Sequence, residues 1–194
     1  MRILPTNSPH TPAKVLCEDD AAMLGMPLNL SIAMLVLMLV APLAYSGLHS
    51  FGVNTTQGEV DTQVRLLFQI AEVVYLSEDG APSSQMEFTL NLQDRATARL
   101  ENVRLGGDVA GEDAAQAKYA DFEIDGRRYF VVAEGFQVPL MADTESGELH
   151  PSMGRTLLSL TLVDPEMEDS TPPHACQAGK AAGVRFVCVQ EAPE

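Results

Sequence analysis

Residues 23–48 carry no charged side chain, and Met, Leu, Val, Ile and Ala fill most of the positions. An α-helix rises about 1.5 Å per residue, so roughly 20 such residues cross a hydrocarbon layer about 30 Å thick. The run predicts one helix that spans a membrane or lies in a filament core. Pro27 sits near its start, where helix N–H groups lack partners anyway. Pro42 falls inside it and removes a hydrogen bond. Asn29 and Ser31 bring an amide and a hydroxyl to one end. They fit either the headgroup interface or contacts with a neighbouring helix, and Pro42 joins them as a candidate contact position.

Beyond the run, Gly47, Gly52 and Gly58 among Ser, His, Asn and Thr predict a flexible break over 49–58. Val60, Val64, Leu67, Phe68, Ala71 and Val74 then recur at spacings of three and four, which predicts an amphipathic helix over 59–76 whose apolar face packs on the sheet that follows. The Ser77-to-Pro82 turn ends it. Polar and apolar residues alternate over 85–92, a strand with one wet face. Strands are also expected over 97–105, 156–163 and 183–189. The runs 119–124 and 127–132 flank Asp125-Gly126, a strong hairpin signal because a type I′ turn needs positive φ at both central residues. A two-residue loop sets the register, with Ile124 facing Arg127, Glu123 facing Arg128 and Phe122 facing Tyr129. The expected fold is α+β: a long N-terminal hydrophobic helix with an amphipathic continuation, then an antiparallel, sandwich-like β-domain over 77–194.

Charge adds placement. The 194 residues hold 27 acidic and 12 basic side chains. Arg2 and Lys14 precede the apolar run and the next basic residue is Arg65, so the positive-inside rule puts residues 1–22 in the cytoplasm and the β-domain outside. Setting aside Arg2, Lys14, Glu18, Asp19 and Asp20 leaves 24 acidic and 10 basic side chains beyond the run. Such a domain repels phosphate, so nucleic acid is not an expected partner. An apolar run longer than a secretory core, preceded by Cys17-Glu18-Asp19-Asp20, reads as a retained anchor, with Ala41 to Ser46 as the alternative cleavage region. Cys176 and Cys188 bracket the loop 177–183, which folds back as a hairpin in a disulfide; the other reading is two buried free thiols.

Candidate chemistry is sparse. No Gly-x-Ser-x-Gly elbow presents a serine. Gly106-Gly107-Asp108-Val109-Ala110-Gly111 lacks the Lys-Ser or Lys-Thr of a phosphate loop and reads as a turn. His10, His49, His150 and His174 are scattered in expected loops, and two cysteines with His174 fall short of a zinc set. No catalytic, cofactor or metal site is expected, and the chain reads as a non-enzyme. Asn54-Thr55-Thr56 is a glycosylation sequon in the expected break.

The short charged leader, the apolar helix of 23–48, the amphipathic continuation of 59–76, the junction from Ala71-Glu72-Val73-Val74-Tyr75 through Gly80 and Ser83-Ser84 to the first strand, and the Asp125-Gly126 hairpin together resemble archaeal type IV pilin-like proteins. The likeness is architectural and covers about residues 18–165. The chain departs from that pattern in having Asp19-Asp20-Ala21-Ala22 where precursors carry a basic residue followed by Gly or Ala, and in lacking the glutamate near the start of the mature bacterial helix. The resemblance implies a subunit or minor component of a surface filament, self-associating or joining other pilin-like subunits through the 23–48 helix. The alternative is a single-pass, membrane-anchored exterior β-domain that binds the surface layer or another envelope component.

Overall fold

The computed structural model describes residues 16–77, 84–111, 114–133, 137–166, 172 and 176–192, with side chains described from residue 28 onward. The chain divides into two compact units between Leu48 and His49. Helix α1 runs from Leu16 to Leu76, 61 residues without interruption. Residues 16–22, expected in the leader, are therefore helical; residues 1–15 lie outside the described residues.

The flexible break over 49–58 is not there, and the reason is visible in its residues. Gly52 is buried, and a Cβ on it would lie 2.2 Å from Thr97 Oγ1. Thr56 is 1% exposed. Gly52, Thr56, Val60, Val64, Leu67, Ala71 and Val74 form one buried stripe at spacings of four and three, so the small residues extend the packed face by two turns. Two threonines are satisfied on the helix itself: Thr55 donates to Phe51 O at 2.8 Å and Thr62 to Gly58 O at 2.7 Å. Glycine raises the cost of helix here by about 1 kcal/mol per residue, which close packing offsets.

Seven strands form two sheets: β1 (Gln85–Leu92), β2 (Leu100–Leu105), β3 (Tyr119–Ile124), β4 (Arg127–Val132), β5 (Leu140–Ala142), β6 (Gly154–Val163) and β7 (Phe186–Glu191). One sheet has the order β1-β6-β7-β5 and the other β2-β3-β4. The first sheet is mixed, because β5 pairs parallel to β7. The all-antiparallel expectation missed β5, whose three residues are all buried and show no alternation. Strand β2 starts later than expected and bulges between Glu101 and Arg104, with Asn102 at φ 49°. The β3–β4 register is Ile124↔Arg127, Glu123↔Arg128, Phe122↔Tyr129, with Asp125 at φ 49° and Gly126 at φ 74°.

The buried face of α1 beyond Val60 shares one core with Leu90, Leu92, Phe122, Ile124, Leu158 and Leu160. Burying each such side chain contributes roughly 1.5–3 kcal/mol. Gln63 locks the helix to the edge of β1: its Nε2 donates to Asn91 O and its Oε1 accepts from Asn91 N, both at 2.7 Å. A second cluster of Val109, Ala117, Met141, Val163 and Phe186 surrounds Cys176 and Cys188. Those cysteines are disulfide-bonded with Cα atoms 6.2 Å apart. Between them the chain forms a short helix, α2 (Gln177–Ala181), instead of a hairpin loop. Ala178, Lys180 and Ala181 favour that turn of helix, and Gly183 at φ 74° reverses the chain into β7.

Candidate functional site

In the first unit, α1 is apolar on every side. The seven consecutive residues Met34 to Val40 are each more than half exposed. At about 100° per residue they cover the whole circumference. A helix of this kind is stable only inside a large core or a bilayer. None of its most apolar stretch is buried within the chain, and by length and composition the helix suffices to cross a membrane.

Asn29, Ser31 and Pro42 are all exposed on this segment. Asn29 and Ser31 are two residues apart, so they point to nearly opposite sides and would meet two different neighbours. Pro42 removes the N–H that would bond the carbonyl of Met38, and the helix continues through it.

In the second unit, the first turns of α1 are tied to two loops. His49 Nδ1 lies 2.9 Å from Thr97 O, and His49 Nε2 lies 3.7 Å from Asp125 Oδ2. Arg95 pairs with Glu59 across the same junction. His49 is thus a bridging group and not the solvated loop residue its surroundings in sequence suggest. Asn54 is exposed on helix, not on a flexible loop, and Thr56 of its sequon is buried. An enzyme that reads Asn54-Thr55-Thr56 reaches Thr56 only before the domain folds. The Thr56 Oγ1 has no hydrogen-bond partner. The signal for this packed junction is the four-residue spacing of Gly52, Thr56 and Val60, in which two of the three side chains are small.

The solvent face of β2-β3-β4 carries an ion cluster that spacing alone did not reveal. Asp121, with its side chain 8% exposed, accepts from Arg104 Nη2 at 2.8 Å and Arg128 Nε at 2.6 Å. The expected Glu123–Arg128 pairing across the hairpin therefore gives way to Asp121, while Glu123 accepts from Asn102 Nδ2 at 2.9 Å. Burial lifts the Asp121 carboxyl above the ordinary aspartate range, and Arg104 opposes that lift. Both arginines are held in place, which fits a structural role for the cluster.

Among the described residues, no group of three or more His, Cys, Asp and Glu is placed to hold a metal ion. A groove of about 260 Å³ lies beside Asp143, Thr144, Leu149, Val189, Gln190 and Glu191, and within it Gln190 Nε2 donates to Asp143 Oδ2 at 3.1 Å. Comparison with protein-family models, with curated proteins and with solved structures returned no match.

Proposed function

We propose that this chain is a structural subunit or minor component of an archaeal type IV pilus-like surface filament. The observation that carries the proposal is α1 itself: one unbroken helix has an apolar segment exposed on all sides and a later stripe buried in a β-rich domain. The exposed segment needs a partner surface in place of water. Copies of the same helix supply one, with Asn29, Ser31 and Pro42 at the contacts. The β-domain stands outside the cell membrane, and its role is assembly and display, not catalysis.

One observation favours the alternative of a single-pass anchor whose exterior domain binds an envelope component. Asp19-Asp20-Ala21-Ala22, at the point where precursors are processed, lies within α1, and a peptidase needs its substrate extended. Mass spectrometry of a sheared-filament fraction separates the two. The filament subunit is expected there, and Asn29→Leu is expected to lower its yield while membrane insertion is unchanged. Such hydrogen bonds are worth about 0.6 kcal/mol each, so the loss shows only through repetition along the filament. Full recovery in washed membranes with an intact N-terminus, and none in the sheared fraction, leaves the anchor.

A further inference from the structure

The two sheets have four edge strands, and three are covered at least in part. At β1, the Gln63 side chain occupies both backbone groups of Asn91. At β5, Gly107 N donates to Leu140 O at 3.0 Å and Ala142 N to Gly147 O at 2.8 Å. At β2, Leu149 bridges Leu105 in both directions, Asp94 accepts from Leu100 N, and the bulge at Asn102 bends the strand. Edge strands left open are templates for further pairing, and proteins blunt them with charged side chains, Pro, bulges or cover. Strand β4 has no Pro, bulge or cover, and its two charges, Arg127 and Arg128, sit at the turn end and leave Phe130 to Val132 uncharged. It is six residues long, regular in register, free of Lys and Pro, and no described residue bridges its outer side.

The outer side of β4 is also apolar where its backbone is open. The two-residue turn makes Ile124 and Arg127 the pair that exchanges both backbone hydrogen bonds. Arg127, Tyr129 and Val131 therefore bond to β3, and Arg128, Phe130 and Val132 turn their N–H and C=O groups outward. Phe130 is 58% and Val132 43% exposed. Tyr119 meets Phe130 edge-on at 5.8 Å, and the Arg128 guanidinium lies 5.1 Å from the Phe130 ring centre.

We propose that β4 pairs antiparallel with β4 of a second copy of this chain, about a two-fold axis at Phe130, joining the two three-stranded sheets into one of six. The strand is self-complementary in that register. Phe130 faces Phe130 of the other copy, Arg128 faces Val132, and Tyr129 faces Val131, so no arginine meets an arginine and Arg128 keeps its bond to Asp121. The overlap of 128–132 buries far less than the roughly 1,200–2,000 Å² of a stable free interface. Pairing is therefore weak in dilute solution and needs a tethered partner. Copies anchored by α1 in one membrane supply that partner at high effective concentration. This inference rests on the anchoring helix, which the filament and single-pass readings share, and not on filament assembly.

The test uses the full chain with Cys17→Ser, reconstituted in liposomes, and a short thiol-to-thiol cross-linker. Phe130→Cys is expected to give cross-linked dimer at least about tenfold above Arg128→Cys or Val132→Cys, because residue 128 of one copy lies about four residues, roughly 14 Å, from residue 128 of the other. Mixing the Arg128→Cys and Val132→Cys proteins restores the cross-link. Phe130→Lys, at an exposed position, abolishes it in that mixture, while hydrogen exchange at the buried β3 amides stays unchanged. Equal cross-linking at all three positions, or none at 130, overturns the proposal. None of these outcomes depends on recovery in sheared filaments, so failure here and failure of the filament reading are separate results.

Discussion

Replacing Gly52 or Gly58 with alanine makes the same chemical change six residues apart on one helix, and the two substitutions are expected to act in opposite directions. Alanine is favoured over glycine in a helix interior by about 1 kcal/mol. A Cβ at Gly58 meets nothing within 4 Å, so Gly58→Ala keeps that gain. A Cβ at Gly52 would lie 2.2 Å from Thr97 Oγ1, 2.9 Å from Thr97 Cβ and 3.3 Å from its carbonyl carbon. The hydroxyl can rotate away. The Cβ and carbonyl move only with the loop that bonds His49 at Thr97 O and closes on itself between Arg95 and Ala98. Overpacking of this kind costs about 1–3 kcal/mol, which exceeds or cancels the helical gain. The two variants should therefore differ by about 2 kcal/mol. At about 2–4 °C per kcal/mol for a domain of this size, the gap in Tm is roughly 4–8 °C. Near-UV circular dichroism of the full chain in detergent reads it, and Thr97→Gly in the Gly52→Ala background should recover about 1 kcal/mol or more as coupling. Shifts of equal sign and size at Gly52 and Gly58, or no coupling to Thr97, would refute a continuous packed helix over 49–58.

Gly126→Val forces a β-branched residue to φ 74° where no neighbour interferes, so backbone strain alone should cost about 1–2 kcal/mol, read by thermal unfolding. Opening the Cys176–Cys188 bond, whose residues are 12 apart, should cost about 3 kcal/mol, read by comparing urea unfolding before and after reduction; an unchanged midpoint would contradict it. The Asp121 carboxyl, lifted by burial, should titrate above the ordinary aspartate value of about 3.9 when followed by carboxyl-carbon NMR. The sign is then set: the folded domain takes up this proton first, so Asp121 adds stability as pH falls through its folded value, and the gain is complete below the unfolded one. A midpoint at or below the ordinary value would show that Arg104 and Arg128 outweigh burial.

Elements with a strong local period could be read from the chain. The charge-free run of 23–48, the three-and-four spacing of 60–74, the alternation of 85–92 and the Asp125-Gly126 hairpin with its register are all consequences of neighbours in sequence, where periodicity and turn stereochemistry act within a few residues. The disulfide was readable for the same reason, since its cysteines enclose a short loop.

What the tertiary structure decided lies where distant segments meet. Gly52 looks like a helix breaker in sequence. It sits within the packed helix because Thr97, some forty residues later, leaves no space there for a Cβ. Gly106 and Gly107 look like an idle turn, yet both are buried, and a Cβ on Gly106 would lie 2.8 Å from Leu140 O. Strand β5 has no period of its own and exists because β7 offers it a parallel edge. Arg128 faces Glu123 by register but bonds Asp121, because that buried carboxylate gains more from two guanidinium partners than the half-buried Glu123 gains from one. Sequence period sets an element's type and faces. Which element stands opposite, and so which small residue, strand edge or charge is needed there, is fixed only when the chain closes on itself.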